Sequence, residues 1–392
     1  MFQFYSIWRF RGKEGIMVSF VIERPTGHLI NFKDGFPMVL LNKFNLYRRK
    51  NAKVVHEPRG AFLRFTLNLI LILMVFTQPL LALDAAAPTG PADEECLPSH
   101  WAGSGYKLKD HAIFYADGYY YGASIYLSEQ NYEDRFAYAR SADLCTWTEL
   151  PPILTQRTPG TWDDFRVWAP FVIREGDPSV TDPRYFMFYT GVTADITQSI
   201  MLATTTTPQD PASWQPQGMV FQPDHPGMDW AGRGKWSDAR DPMVVYSQNR
   251  YYLYYTGLDT NGGIVGVAVA DSLSGPWQDL GSTLTLAQGM PESPSVMEKN
   301  GFFFLIYNHA GTKLGAQMRM APSPTGPWSS PTPVALGWAH EFFQAIDGSW
   351  MTSYLTDYSV TVDRLDWVRR GTIDWPVVRF PWQIWLPQVV AD

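Results

Sequence analysis

The sequence predicts an all-β fold, a five-bladed β-propeller, and three observations point there. Five aromatic-rich runs each follow a polar or glycine turn: DGYYYGAS from Asp117, DPRYFMFYTG from Asp182, QNRYYLYYTG from Gln248, NGFFFLIYNHAG from Asn300 and DGSWMTSYLT from Asp347. Four of these runs lead into an apolar strand and a small-residue turn that ends in tryptophan, at Trp147, Trp214, Trp277 and Trp328, and the fifth into the looser VDRLDW ending at Trp367. Almost no stretch from 100 to 380 keeps a helical period, while 31 Gly and 30 Pro supply turns throughout.

Each run is a hairpin signature, a turn dipeptide flanked by alternating or continuous aromatics. Successive turns lie 65, 66, 52 and 47 residues apart, lengths that hold a four-stranded blade with loops of variable size. A β-sandwich is the competing fold, but sandwich strands do not usually recur as matched blocks. Residues 96–392 are therefore expected to form one propeller, with the last strand or tail closing the ring near blade one.

Before the repeats the chain reads differently. Residues 1–64 carry a net charge of +8, against −15 for the remainder, within a total of −7. The run LNLILILMVFTQPLLAL from Leu67 to Leu83 follows Arg59 and Arg64 and leads into Asp84-Ala85-Ala86-Ala87. Charge, apolar core and small residues in that order predict an export signal, or an anchor if it stays uncleaved, within an N-terminal leader of 1–83. A linker follows at 84–95. Met17 and Met38 are candidate internal starts. The protein is thus expected to be secreted or periplasmic, where Cys96 and Cys145, its two cysteines, have the chance to form one disulfide.

The acidic body excludes a nucleic-acid partner, whose phosphates need a basic surface. No phosphate-cradling glycine loop, His-Glu-x-x-His zinc pattern or serine nucleophile elbow is present. Counting back ten residues from an aromatic in each hairpin run lands on Asp110, Asp241, Glu292 and His340, while blade two carries Trp168-Ala169-Pro170 instead. These positions begin the innermost strands, which in a propeller converge on one mouth of the central channel. Three converging carboxylates are what glycoside hydrolysis needs: one to protonate the leaving oxygen, one to attack or activate water, and a charge that tunes the acid. Trp101, Trp162, Trp230 and Trp236 precede blade starts and are candidates to stack on sugar rings. His111 and His309 fit a buried hydrogen-bonding role or a channel role equally.

With these segments in view, the chain resembles the five-bladed propeller glycoside hydrolases of family 43 (arabinanases, arabinofuranosidases, β-xylosidases) over about residues 105–360, and more distantly the invertase-like family 32. The resemblance implies Asp110, in KDHAIFYADGYYYGAS, as base, Asp241, in ARDPMVV, as pKa tuner and transition-state stabiliser, and Glu292, in MPESPSVM, as general acid. It implies Trp168 as a wall of the sugar subsite, and the invertase-like resemblance implies Arg240 as a contact to sugar hydroxyls; His340, His111 and Trp236 are further candidate substrate contacts. His340 is similar to the blade-five histidine that some members place near a channel calcium. No cofactor is required by this reading, and the partner is an oligosaccharide or polysaccharide.

Two residues depart from the family-43 pattern: His111 follows Asp110 where proline is usual, and Arg240-Asp241-Pro242 is closer to the invertase-like Arg-Asp-Pro. The family-43 branch implies inversion with water activated by Asp110; the invertase-like branch makes Asp110 a nucleophile and the reaction retaining. A catalytically silent sugar-binding propeller and a phosphorylase or transglycosylase are the other readings. The loops Asp163–Arg166 and Asp224–Asp238 are expected to narrow one end of the cleft, as exo-action would require.

Overall fold

A computed structural model describes residues 3–10, 16–23, 29–31, 96–176, 183–230, 232, 234, 237–334, 337–370 and 373–378. The chain divides into two units, Met1–Leu80 and Leu81–Asp392. In the first, β1 (Gln3–Phe10), β2 (Ile16–Glu23) and β3 (Leu29–Asn31) pair antiparallel in chain order. The apolar run 67–83 and the linker 84–95 lie outside the described residues.

The second unit is a five-bladed β-propeller preceded by a short strand, β4 (Ser99–Trp101). Blade one is β5 (Lys107–Ala116), β6 (Tyr119–Leu127), β7 (Phe136–Ser141) and β8 (Thr148–Ile153). Blade two is β9 (Arg166–Arg174), β10 (Tyr185–Val192), β11 (Gln198–Thr205) and β12 (Gln215–Phe221). Blade three is β13 (Ala239–Ser247), β14 (Arg250–Asp259), β15 (Gly262–Ala270) and β16 (Gln278–Leu286). Blade four is β17 (Met290–Lys299), β18 (Phe302–Ala310), β19 (Ala316–Ala321) and β20 (Thr332–Val334). Blade five is β21 (Trp338–Gln344), β22 (Trp350–Thr356), β23 (Ser359–Arg370) and β24 (Ile373–Val378). Each blade is a meander of strands in chain order.

The aromatic runs are the second strands, as their turn signals predict. Asp117-Gly118, Gln248-Asn249 and Asn300-Gly301 all take positive φ at both positions, the type I′ geometry whose twist matches that of paired strands. The tryptophan-ended turns have a structural use that the repeat alone does not give. Trp214 of blade two packs edge-on to Phe114 of blade one, and Trp277 of blade three packs edge-on to Phe188 of blade two. Trp328 of blade four donates its indole N–H to Thr283 of blade three, at 2.9 Å. Tyrosine hydroxyls from one blade reach the same turns of the next: Tyr138 to the Pro208 carbonyl at 2.9 Å, Tyr254 to that of Pro324 at 2.8 Å. The hydrophobic core is accordingly a set of inter-blade layers.

The last described strand, β24, pairs with β23 of its own blade and does not reach blade one, and the tail beyond residue 378 lies outside the described residues. Among the described residues the ring is closed from the N-terminal side: β4 pairs with β23 of blade five, Trp101 opposite Val360 and Ser99 opposite Val362. A three-residue strand contributes few ladder bonds, and its neighbours hold it to blade one. Cys96 is disulfide-bonded to Cys145, Ser99 donates to the Leu144 carbonyl, and the Trp101 ring stacks on Trp147 at 5.7 Å.

Candidate active site

The first strand of every blade carries a bulge at the same place. Pairing with the second strand shifts between Leu108 and His111, Trp168 and Phe171, Arg240 and Met243, Glu292 and Ser295, and Trp338 and Glu341. A bulge sets two residues against one and re-aims the side chains around it. In four blades the first bulged residue is left-handed: Ala169 (φ 43), Asp241 (φ 55), Ser293 (φ 51) and Ala339 (φ 53). In three of these proline follows, a residue with no N–H to leave unpaired.

The bulges surround a cavity of about 450 Å³. Its lining includes Lys109 and Asp110 of blade one, Trp168 of blade two, Arg240 and Asp241 of blade three, Glu292 and Ser293 of blade four, and Trp338 of blade five. The tip of blade five, Leu355, Asp357 and Tyr358, completes it. All three carboxylates singled out from the sequence therefore meet in one place, together with Trp168 and Arg240. They do not share one register. Glu292 precedes its bulge, Asp241 is the first residue of its own, and Asp110 is the second of its own.

Arg240 ties two of the acids together. Its guanidinium donates to Glu292 Oε1 at 2.9 Å and to Asp238, with Nε 3.8 Å from Asp241 Oδ2. Burial works against its charge, but Asp241, Asp238 and Glu292 outweigh that and hold it protonated. Asp241 is fixed on every side: Oδ2 accepts from Thr256 Oγ1 at 3.2 Å and from the Ser293 amide at 2.9 Å, and its own amide donates to Thr190 Oγ1 at 3.0 Å. Burial and the Asp241 charge push Asp110 up to about 7, Lys109 opposing them. Glu292 is also raised, by burial and then Asp241, with Arg240 pulling it down. The arrangement is a cluster of like charges in which ionisation of one member opposes that of the next.

Glu133, which no motif marks, anchors one wall. Its carboxylate accepts from Lys109 Nζ at 2.7 Å, from Arg166 at 3.1 Å and from the Trp168 indole N–H at 2.7 Å, fixing the ring that faces the cavity.

The histidines stand elsewhere. His340 is 1% exposed and outside the cavity wall, with neither ring nitrogen hydrogen-bonded, and His111 bonds Ser353 Oγ through Nε2 at 2.8 Å. Burial lowers both to about 3, keeping them neutral. Beneath the cavity, His111, Asp110, Asp241 and Glu341 line a void of about 10 Å³, near the ~10–15 Å³ that one water needs. Among the described residues no group of three or more His, Cys, Asp or Glu is arranged for a metal ion. Of the tryptophans expected to stack on sugar, Trp101 is buried in the core, and Trp162 and Trp230 pack on each other at 6.0 Å away from the cavity lining. Trp236 lies outside the described residues. His309 bonds the Gln288 carbonyl at 2.7 Å.

The model of the family "Glycosyl hydrolases family 43" matches residues 105–232, which include Asp110 and Trp168 and stop short of Asp241 and Glu292. A curated Aspergillus clavatus protein named "Probable arabinan endo-1,5-alpha-L-arabinosidase C" is 33% identical over 107 residues, 26% of this chain and 30% of that protein's length. Among solved structures, a thermostable family-43 glycoside hydrolase superposes with a TM-score of 0.53 at 18% identity, covering 73% of this chain and 96% of the other. The GH43_1 enzyme from Xanthomonas citri, complexed with xylotriose, gives 0.52 at 17% identity over 72% and 94%. Exo-beta-1,3-galactanase from Phanerochaete chrysosporium, with galactose, gives 0.51 at 17% identity over 68% and 65%. The family match spans the first two blades, and the solved structures share the propeller fold. The chain is thus similar to family-43 glycoside hydrolases over residues 105–232, and it spans less than a third of the length of the curated relative it matches.

Proposed function

We propose that this chain is an exported glycoside hydrolase that cleaves pentosidic or furanosidic linkages of arabinose- or xylose-containing glycans with inversion. The observation that carries the reading is the convergence of Asp110, Asp241 and Glu292, with Arg240, on one open cavity. Asp110 removes a proton from water, whose oxygen bonds to the anomeric carbon as the glycosidic bond breaks; Glu292 delivers its proton to the departing oxygen. The productive form has Glu292 protonated and Asp110 ionised, the proton being shared within a coupled cluster. Asp241 raises both carboxylates, and Arg240 orients Glu292 while compensating the charge. Trp168, held by Glu133, offers a flat apolar face to a sugar ring.

The test is hydrolysis by the purified chain of arabinofuranosides, xylosides, arabinan, β-1,3-galactan and sucrose, with product anomer followed by NMR. Pentose released with inverted configuration by the wild type, and a loss of about 10²–10⁴-fold in both Asp110→Asn and Glu292→Gln, is expected. Fructose from sucrose with retention would move the chain to the invertase-like reading. Oligosaccharide binding without turnover would make it a binding propeller.

A further inference from the structure

We infer that blade five forms an aromatic subsite, built from Trp338 and Tyr358, for the sugar on the leaving-group side of the bond that Glu292 protonates. The inference rests on the hydrolase reading above.

Trp338 occupies the residue before the bulge, the structural position held by Trp168, Arg240 and Glu292 in blades two, three and four. All four line the cavity. Trp338 is 40% exposed, whereas Trp101 and Trp214 are 1% and 4% exposed between blades. An indole left open at the wall of a polar cavity offers a ligand the apolar face that a core would otherwise cover.

Tyr358 adds an independent sign. Asp357 and Tyr358 form the tip of the β22–β23 hairpin with φ of 48° and 61°. The second left-handed position of such a turn is ordinarily glycine, and a bulky aromatic there is held against local preference. The turn is fastened where it stands: the Leu108 amide donates to the Tyr358 carbonyl at 3.0 Å, and Lys107 Nζ sits 4.2 Å from the centre of the Tyr358 ring. The ring is nonetheless 51% exposed, beside the cavity it lines.

Direction follows from register. Blade five lies between Glu292 of blade four and Asp110 of blade one, but Trp338 shares the pre-bulge position of Glu292, whereas Asp110 is two residues further along its strand. The indole thus stands at the level of the acid that hands its proton to the departing oxygen, with Trp168 of blade two at the same level across the cavity. The natural substrate is accordingly a glycan chain with at least one sugar beyond the cleaved bond.

The test compares arabinotriose with α-L-arabinofuranosyl fluoride, and xylotriose with the corresponding xylosyl fluoride, since a departing fluoride leaves the subsite empty. Trp338→Ala should lower kcat/KM for the trisaccharide about tenfold more than for the fluoride. Tyr358→Gly, which relieves the left-handed backbone and folds at least as well, should lower the same ratio. Tryptophan fluorescence titration of Glu292→Gln with the trisaccharide, with and without Trp338→Ala, gives a second readout that needs no turnover, with weaker binding expected. An unchanged ratio and unchanged binding in both variants overturns the subsite while leaving the hydrolase reading intact. A wild type silent on all four substrates overturns the hydrolase reading, and the titration then decides the subsite alone.

Discussion

Replacing Asp110 by asparagine should stabilise the protein, and only where the aspartate is ionised. Burial and Asp241 lift this carboxyl from its ordinary 3.8 to about 7. Between those values the folded state holds a proton that the unfolded state has released, so stability falls as pH rises and levels off above 7. At 1.36 kcal/mol per pKa unit the full penalty is about 4 kcal/mol. Water admitted by the open cavity screens the site and reduces it to about 2 kcal/mol. Asparagine keeps the shape and removes the charge. Urea unfolding of wild type and Asp110→Asn should therefore agree at pH 4 and diverge by about 2–4 kcal/mol at pH 8 in favour of the variant, or roughly 5–10 °C in Tm. A gain of the same size at both pH values would mean packing, not charge, is responsible. No gain at pH 8 would mean that Asp110 ionises without cost, and the argument for a strained carboxylate cluster would fail.

Asp241→Asn removes the anion that raises both Asp110 and Glu292, so both limbs of the kcat/KM profile should move to lower pH; a profile that stays in place or moves up would refute the coupling. Cys145→Ser opens a loop whose ends are 49 residues apart, and the chain-entropy relation gives a loss of about 4 kcal/mol, readable in urea. A change below about 1 kcal/mol would show that β4 is held by strand pairing and the Trp101–Trp147 stack without the cross-link.

The blades were legible because each is announced locally: a turn dipeptide, an aromatic strand and a tryptophan-ended turn are short-range signals. Closure was not, because a strand as short as Ser99–Trp101 has no pattern of its own, and its pairing to Val360 spans most of the propeller. At the site, residue types carried the reading of Asp110, Asp241 and Glu292, but counting from the aromatics placed them in a single register. The signal that marks the bulges was present in Trp168-Ala169-Pro170, Arg240-Asp241-Pro242 and Glu292-Ser293-Pro294. Aligning those prolines puts Trp168, Arg240 and Glu292 at one position and Ala169, Asp241 and Ser293 at the next. His340 then falls level with Asp110, at the second bulged position, yet its ring is buried and off the cavity wall. Glu133 was invisible for a different reason: its importance comes from meeting Lys109, Arg166 and Trp168 in space, and nothing near it in sequence marks that.

The stagger of the three acids is itself informative. Each step along a strand is about 3.3 Å, so acids at the second bulged, first bulged and pre-bulge positions sit at different depths. Asp110 and Asp241 line both the cavity and the small void beneath it, whereas Glu292 lines the cavity alone. A base must meet a water that the sugar does not displace, and an acid must meet the oxygen of the group that leaves. A deep Asp110 over a water-sized void and a shallow Glu292 beside the exposed Trp338 are what the proposed division of labour requires. Had the acids shared one register, they would have formed a ring at one depth, with no polarity between the attacking and departing sides.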